Sequence, residues 1–374
     1  MRILLTGGAG FIGAHLTPRL LAAGHRVVVL DSLSPQVHGE ATPPMATEVE
    51  FVRGDVRDSP TVAQVMRGVD AVCHLAAETG VGQSQYEIAR YVSVNAHGTA
   101  VVLEAAAAAR VRHIVLASSR AVYGEGLYRC SGCALGFAAG GRNVQDMDNR
   151  RWEIRCPQCG HAASPVPTPE DCPFAPVSVY GVTKQQQEEL CRLVARVYGQ
   201  AATIFRFFNV FGPGQSLTNP YTGVLGTFLR RAARGHPIEI YEDGAMLRDY
   251  VYVADVAETL DLCLSDPEAA GGVLNVGSGS SSTLREIAED VFHALGTPPQ
   301  IEVTGRYRVG DVRHTIADVQ QLRKVRGDRP MTPFRDGLRE YVTWAMGEDA
   351  LLAAAPGEDE TLTARDLLRQ GRGA

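Results

Sequence analysis

Residues 2–31, RILLTGGAGFIGAHLTPRLLAAGHRVVVLD, constrain the fold more than any other stretch of this chain. A short apolar run leads into three glycines, Gly7, Gly10 and Gly13, then a helix-forming segment, then a second apolar run closing on Asp31. The pattern reads strand, glycine turn, helix, strand. Gly7 permits the tight turn, Gly10 lets the backbone approach a pyrophosphate, and Gly13 lets the helix pack closely on the sheet. Unpaired N–H groups and the dipole at the helix start favour phosphate there. Asp31 sits where a carboxylate accepts hydrogen bonds from an adenosine ribose and repels a 2′-phosphate, so NAD is expected over NADP. A glycine turn with no ligand is the bland alternative, and the register of strand, helix and acid argues against it. Pro18 removes one hydrogen bond from the helix and predicts a kink.

The rest of the chain continues the alternation. VDAVCHLAA (69–77) and RHIVLASS (112–119) are short continuous apolar runs, the mark of buried parallel strands. NAHGTAVVLEAAAAA (95–109) is an alanine-rich helix between them, and SVYGVTKQQQEELCRLVARVYG (178–199) is a second periodic helix. The expectation is an α/β chain: a Rossmann-type doubly wound parallel sheet with a smaller C-terminal substrate-binding domain. Residues 1–126, 169–208 and 249–271 are assigned to the dinucleotide half, and 209–248 with 272–346 to the substrate half. Residues 127–168, rich in Gly, Arg, Cys and Pro, interrupt the pattern as a zinc-ribbon-like insertion. Residues 347–374 read as a loosely held tail.

Composition narrows the classes. The 374 residues carry a net charge of −6, which gives no support for nucleic-acid or acidic-membrane binding. No apolar run is long enough to span a bilayer, and a strand starting at Arg2 leaves no room for a signal peptide. A cytoplasmic location is expected, where the eight cysteines are thiols or metal ligands.

YGVTK places Tyr180 and Lys184 four residues apart, on one helix face. A phenol with a pKa of about 10 is a poor base, and a neighbouring ammonium stabilises its phenolate. Ser119 ends a strand and can hydrogen-bond the same substrate hydroxyl.

TGGAGFIG, GDVRD (54–58), HLAA (74–77), SSRAVYG (118–124), YGVTK, RFFNVFGPGQ (206–215), RDYVYVADVA (248–257) and NVGSG (275–279) together resemble an extended short-chain dehydrogenase/reductase. The resemblance is to the nucleotide-sugar epimerase and dehydratase type and covers roughly residues 1–345 apart from the insertion. It implies that Ser119, Tyr180 and Lys184 are catalytic. It places Phe11, Ile12, Asp55, Val56, Leu75, Ala76, Ala77 and Asn95 at the NAD with Gly7, Gly10, Gly13, Asp31, Tyr180 and Lys184. It places Asn209, Tyr241, Arg248 and Arg308, with Ser119, at the nucleotide sugar. Cationic forks suit a diphosphate in a protein of net negative charge. A homodimer is the family expectation. Dehydratases of the family carry Asp-Glu after the catalytic Ser/Thr, and decarboxylases a Glu at the second of those positions. Here they are Arg120 and Ala121, which leaves an epimerase or a 4-ketoreductase.

Cys130, Cys133, Cys156 and Cys159 form two CxxC knuckles, spaced for a structural tetrahedral Zn²⁺. Disulfides are disfavoured by compartment, an iron–sulfur cluster has no role here, and a nucleic-acid-binding ribbon is at odds with the charge. A polar insert of this size needs a metal to organise it. Cys73, Cys191 and Cys263 read as core packing. The insertion resembles one in a subgroup of nucleotide-sugar 4-epimerases that also carry SSRAVYGEG (118–126) and NPYTGV (219–224), which implies a dTDP-L-rhamnose-like deoxysugar. A UDP-hexose or UDP-uronic acid epimerase, an NAD(P)H-dependent ketoreductase, and a non-catalytic NAD-dependent regulator are the alternatives.

Overall fold

Seven apolar strands of the computed structural model pair into one parallel sheet: β1 (Arg2–Thr6), β2 (Arg26–Asp31), β3 (Glu50–Arg53), β4 (Ala71–His74), β5 (His113–Ser119), β6 (Ala201–Phe207) and β7 (Gly272–Val276). Their order is β7-β6-β5-β4-β1-β2-β3. The structure describes residues 1–39, 43, 45–219, 221, 223–266, 271–352 and 358–372. Pro220 and Thr222 of the NPYTGV motif, and residues 353–357 and 373–374 of the tail, lie outside them.

Helices cover both faces of the sheet, so alternate residues of a strand enter different cores. Ile3, Leu5, Val27, Val29 and Cys73 pack on one side; Leu4, Val28, Val72, Ile114 and Leu116 pack on the other. That two-sided burial is why these strands read as continuous apolar runs. The strand order reverses between β1 and β4, where a crevice opens at the carboxyl ends of the strands. Helix α1 (Phe11–Ala22) follows the glycine turn, and helix α2 (Val179–Tyr198) packs against β5 and β6. Helix α1 continues through Pro18 without ending there. The alanine-rich helix starts at Gly98, after a π-helical turn over Val92–His97.

Four expectations need correction. First, residues 272–276 are β7, the edge strand of the central sheet, and so belong to the dinucleotide half. Second, the same holds for Ala317, Val319 and Leu322, which pack into that core. The smaller half has its own core, built on Phe211, Phe228, Leu229, Ile238, Ile287 and Tyr341.

Third, the insertion is not without packing. Gly126–Cys130 pairs with Gly136–Ala139 and Ala163–Pro165 in a three-stranded antiparallel sheet. Tyr128, Ala139, Ile154 and Ala163 form a small core beneath it. Fourth, the tail is docked where it is described. Leu368–Gln370 pairs antiparallel with Arg306–Arg308, and Leu362 and Leu368 are buried. Side-chain burial at isolated apolar positions, rather than any long periodic run, holds it down.

Candidate active site

A cavity of about 1140 Å³ lies in the crevice and crosses from the dinucleotide half to the smaller half. Every cofactor- and substrate-side residue expected from the sequence lines it, except Asn95. Gly7 holds φ +69°, and a Cβ there would meet the Ala76 backbone nitrogen at 2.7 Å. A Cβ on Gly13 would lie 2.4 Å from the Gly8 carbonyl oxygen, so only glycine lets α1 start this close to β1. The cradle left open by these glycines, facing the first turn of α1, fits a pyrophosphate.

The Asp31 carboxylate is buried and accepts hydrogen bonds from the N–H groups of Ala9 (3.1 Å) and Leu33 (2.9 Å). It therefore ties the end of β2 to the glycine turn while lining the cavity. Asp55 is paired with Arg57 at 2.6 Å, and that hydrogen bond holds its carboxyl below the usual range. Asn95 is fully buried and spends its amide elsewhere: Nδ2 donates to Thr183 Oγ1 (3.0 Å) and the Glu78 carbonyl (3.1 Å), and Oδ1 accepts from Glu78 N–H (2.8 Å). It fixes the segment after β4 to α2 and does not reach the cavity.

Ser119 ends β5, and Tyr180 and Lys184 stand one turn apart on α2. All three face the cavity. Burial raises the Tyr180 phenol above its ordinary value; a hydrogen bond with Ser119 and the charge of Arg120 act the other way. The Lys184 ammonium is buried, donates to the Ala117 carbonyl at 2.7 Å, and lies 5.9 Å from the centre of the Tyr180 ring. Burial lowers it to about 7, opposed by Glu188 one turn on. Glu188 is fully buried and pairs with Arg206 of β6 through both oxygens, at 2.9 and 2.7 Å. That fork pins α2 to the sheet and sets the register of Tyr180 and Lys184.

In the smaller half, Asn209 Nδ2 donates to the Asp249 carbonyl at 2.7 Å. The Arg248 guanidinium is held by the carbonyls of Leu247, Arg313 and Val312 at 2.8, 2.9 and 3.0 Å. The guanidinium groups of Arg306 and Arg308 lie over the Tyr241 ring, 5.3 and 5.0 Å from its centre. Cationic and aromatic groups thus line the end of the cavity away from the glycine turn, as a base and a diphosphate require.

The model of the NAD dependent epimerase/dehydratase family matches residues 3–133 and 156–277. The chain belongs to this family. The dTDP-L-rhamnose 4-epimerase of Burkholderia thailandensis is 36% identical over 357 residues, covering 93% of this chain and 95% of that protein. The Thermus thermophilus UDP-glucose 4-epimerase, solved with NAD, superposes with a TM-score of 0.74 at 30% identity, covering 92% and 98%. MoeE5, solved with UDP-glucuronic acid and NAD, gives 0.74 at 31%, covering 93% and 99%.

The family match stops at Cys133 and resumes at Cys156, so the middle of the insertion is an addition to the epimerase/dehydratase pattern. The sulfurs of Cys130, Cys133, Cys156 and Cys159 all lie within 4.8 Å of one another. The closest pairs are 130–159 at 3.3 Å, and 133–156 and 133–159, each at 3.6 Å, none bonded as a disulfide. Four thiols at such spacing fit the edges of a tetrahedron with Zn–S of about 2.3 Å. Backbone N–H groups of Cys133 and Gly132 point at the Cys130 sulfur and pull its thiol down.

Three features of this epimerase/dehydratase site escaped sequence reasoning. Glu188 looks like a surface residue of a charged helix until Arg206 is brought beside it. Asp249 is fully buried, accepts from Ser278, Gly279 and Ala317, and is pushed up to about 6 by burial. Arg120 lines the cavity beside Ser119 and makes no hydrogen bond or ion pair with any described residue. Burial, with Arg248 nearby, lowers it to about 10. The run SSRAVYG marked the position but not the direction of the side chain.

Proposed function

We propose that this protein is an NAD-dependent nucleotide-sugar 4-epimerase acting on a dTDP-deoxyhexose of the dTDP-L-rhamnose kind. One observation carries the reading: Ser119, Tyr180 and Lys184 converge on a cavity, and the two residues that follow Ser119, Arg120 on the cavity wall and Ala121 behind it, hold no acid. Water elimination needs a proton donor there, whereas epimerisation does not. The 36% identity to a dTDP-L-rhamnose 4-epimerase supports the choice of sugar.

NAD, when bound, supplies the acceptor for the hydrogen leaving C4 and the donor for its return. The chain's own residues do the rest. Asp31 and the glycine cradle fix the dinucleotide. Tyr180 takes the proton from the C4 hydroxyl, and Ser119 holds the same oxygen as it becomes a carbonyl. Lys184 stabilises the phenolate and holds it in line. Arg248, Arg308 and Tyr241 retain the nucleoside diphosphate while the keto-sugar turns. Tyr180 then returns the proton, and C4 is inverted. Net redox is zero, so NAD stays bound through turnover.

Four cysteine sulfurs close on one Zn²⁺ in this reading, with no position left for water, so the metal organises the insertion rather than the chemistry. No described helix is long and apolar enough to cross a membrane, and a cytoplasmic homodimer is part of the proposal. The exposed Val182, Leu193 and Val197 on α2 supply apolar surface for a second copy.

A UDP-uronic acid substrate is the second reading. Arg120 favours it, because a cation facing the cavity with no described partner suits a sugar carboxylate. Incubation with a panel of dTDP- and UDP-sugars, without added NAD, separates the readings by NMR. Conversion of dTDP-L-rhamnose to its C4 epimer supports the first; conversion of the uronic acid alone replaces it; consumption of added NADPH with a ketosugar points to a reductase instead.

A further inference from the structure

The substrate end of the cavity is held from outside by the insertion. Arg142 is buried in the small half, with Nη2 at 2.8 Å from Glu242 and Nε at 3.1 Å from Glu125. Its Nη2 also donates to the Asp311 carbonyl at 2.9 Å. Asp311 lines the cavity, and Glu242 follows Tyr241, which lines it too. Glu153 accepts from Arg313 at 2.6 Å and from His314 at 3.1 Å. Arg313 is fully buried, and its carbonyl is one of those that hold Arg248. Asp148 accepts from the Tyr307 hydroxyl at 2.5 Å, and Trp152 packs on the same ring. Tyr307 sits between Arg306 and Arg308, the two arginines over Tyr241. The glycine turn and Asp31 have no part in this network.

Resting on the nucleotide-sugar reading above, we propose that Arg142, Asp148 and Glu153 are positioning residues for the nucleotide-sugar end of the cavity, acting through Asp311, Arg308 and Arg248. Buried ion pairs are a poor source of stability compared with apolar packing of the same volume, while their bonds are narrow in geometry. An apolar cluster of Met147, Trp152 and Tyr307 seals part of the insertion onto the protein, but apolar contact sets no direction. The directed bonds of Glu125 and Glu153 to Arg313 hold the backbone whose carbonyls aim the Arg248 fork. The insertion therefore sets how tightly a nucleoside diphosphate is held and leaves dinucleotide binding alone.

The test uses the NAD-loaded full chain, with dTDP and UDP as probes in calorimetric titration. Glu153→Gln keeps the side chain's shape and removes its charge; its side chain is 44% exposed, so the fold tolerates the change. Asp148→Ala removes the acceptor of the Tyr307 hydroxyl and cuts that independent route. Each variant is expected to bind nucleotide about ten-fold more weakly, the size of one lost charge-assisted hydrogen bond. NAD content and kcat should stay near wild type, with the loss appearing in KM. Unchanged nucleotide affinity in both variants overturns the inference, as does NAD lost in parallel with nucleotide. A wild type that binds neither dTDP nor UDP overturns the functional reading, and this inference with it.

Discussion

Lys184→Met is predicted to make the NAD-free protein more stable while abolishing turnover. The reason is the site's own electrostatics. Burial takes the Lys184 ammonium from its ordinary 10.5 down to about 7. Between those values the unfolded chain holds a proton that the folded chain lacks, so wild-type stability rises with pH across this window. Near pH 7 the penalty of the buried amine is about 4 kcal/mol, at about 1.36 kcal/mol for each tenfold change in proton affinity. The hydrogen bond to the Ala117 carbonyl returns about 1–3 kcal/mol of that. Methionine fills the same volume without a charge, so the variant should gain roughly 2 kcal/mol near pH 7. The gap should close by about pH 9.5, where the amine is neutral in the fold and still about nine-tenths protonated when unfolded, so the penalty has fallen to about 1.4 kcal/mol and the hydrogen bond offsets it. Urea unfolding of NAD-stripped protein at pH 7, 8 and 9.5 reads both the sign and the slope. A less stable variant at pH 7, or a difference that does not change with pH, refutes the account of Lys184 as a strained buried cation.

Tyr180→Phe should fold, retain NAD and lose activity by roughly 10²–10⁴-fold, the range for a general base; near-normal turnover would remove Tyr180 from its role. Denatured wild-type protein should release NAD(H) in stoichiometric amount, and NADP(H) in the supernatant would contradict the role given to Asp31. Cys156→Ser should lose the zinc that elemental analysis finds in the wild type and weaken sugar-nucleotide binding more than NAD binding. Zinc-free, fully active wild type with a disulfide in a CxxC pair would refute the metal. Gly13→Ala should abolish NAD binding, because its Cβ would sit 2.4 Å from a backbone oxygen, and a variant that still purifies with NAD would undo the packing argument.

The parts of this protein that were legible in the sequence are those whose physics is local. A glycine turn needs its glycines at fixed spacing, buried strands need short apolar runs, and a helical base–ammonium pair needs a spacing of four positions. Two CxxC pairs announce themselves in the same way. What stayed hidden depends on distant residues meeting. Arg142 and Glu242 are a hundred positions apart, and each alone reads as a solvated surface charge. Asn95 lies near the cofactor motif in sequence, yet its amide turns to Glu78 and Thr183. The strand at Gly272–Val276 joins the dinucleotide half, and nothing local says which sheet a five-residue apolar run joins. The tail's docking rests on a few buried leucines, too few to show a period.

The central claim is that C4 of the sugar is oxidised and reduced within one closed site. Its most direct measurement uses dTDP-L-rhamnose deuterated at C4, incubated in ordinary water with the protein as purified and followed by NMR. The account predicts the C4 epimer, formed without added cofactor and with deuterium still on C4. Loss of the label to solvent, a dehydrated product, or no epimer at all would contradict it.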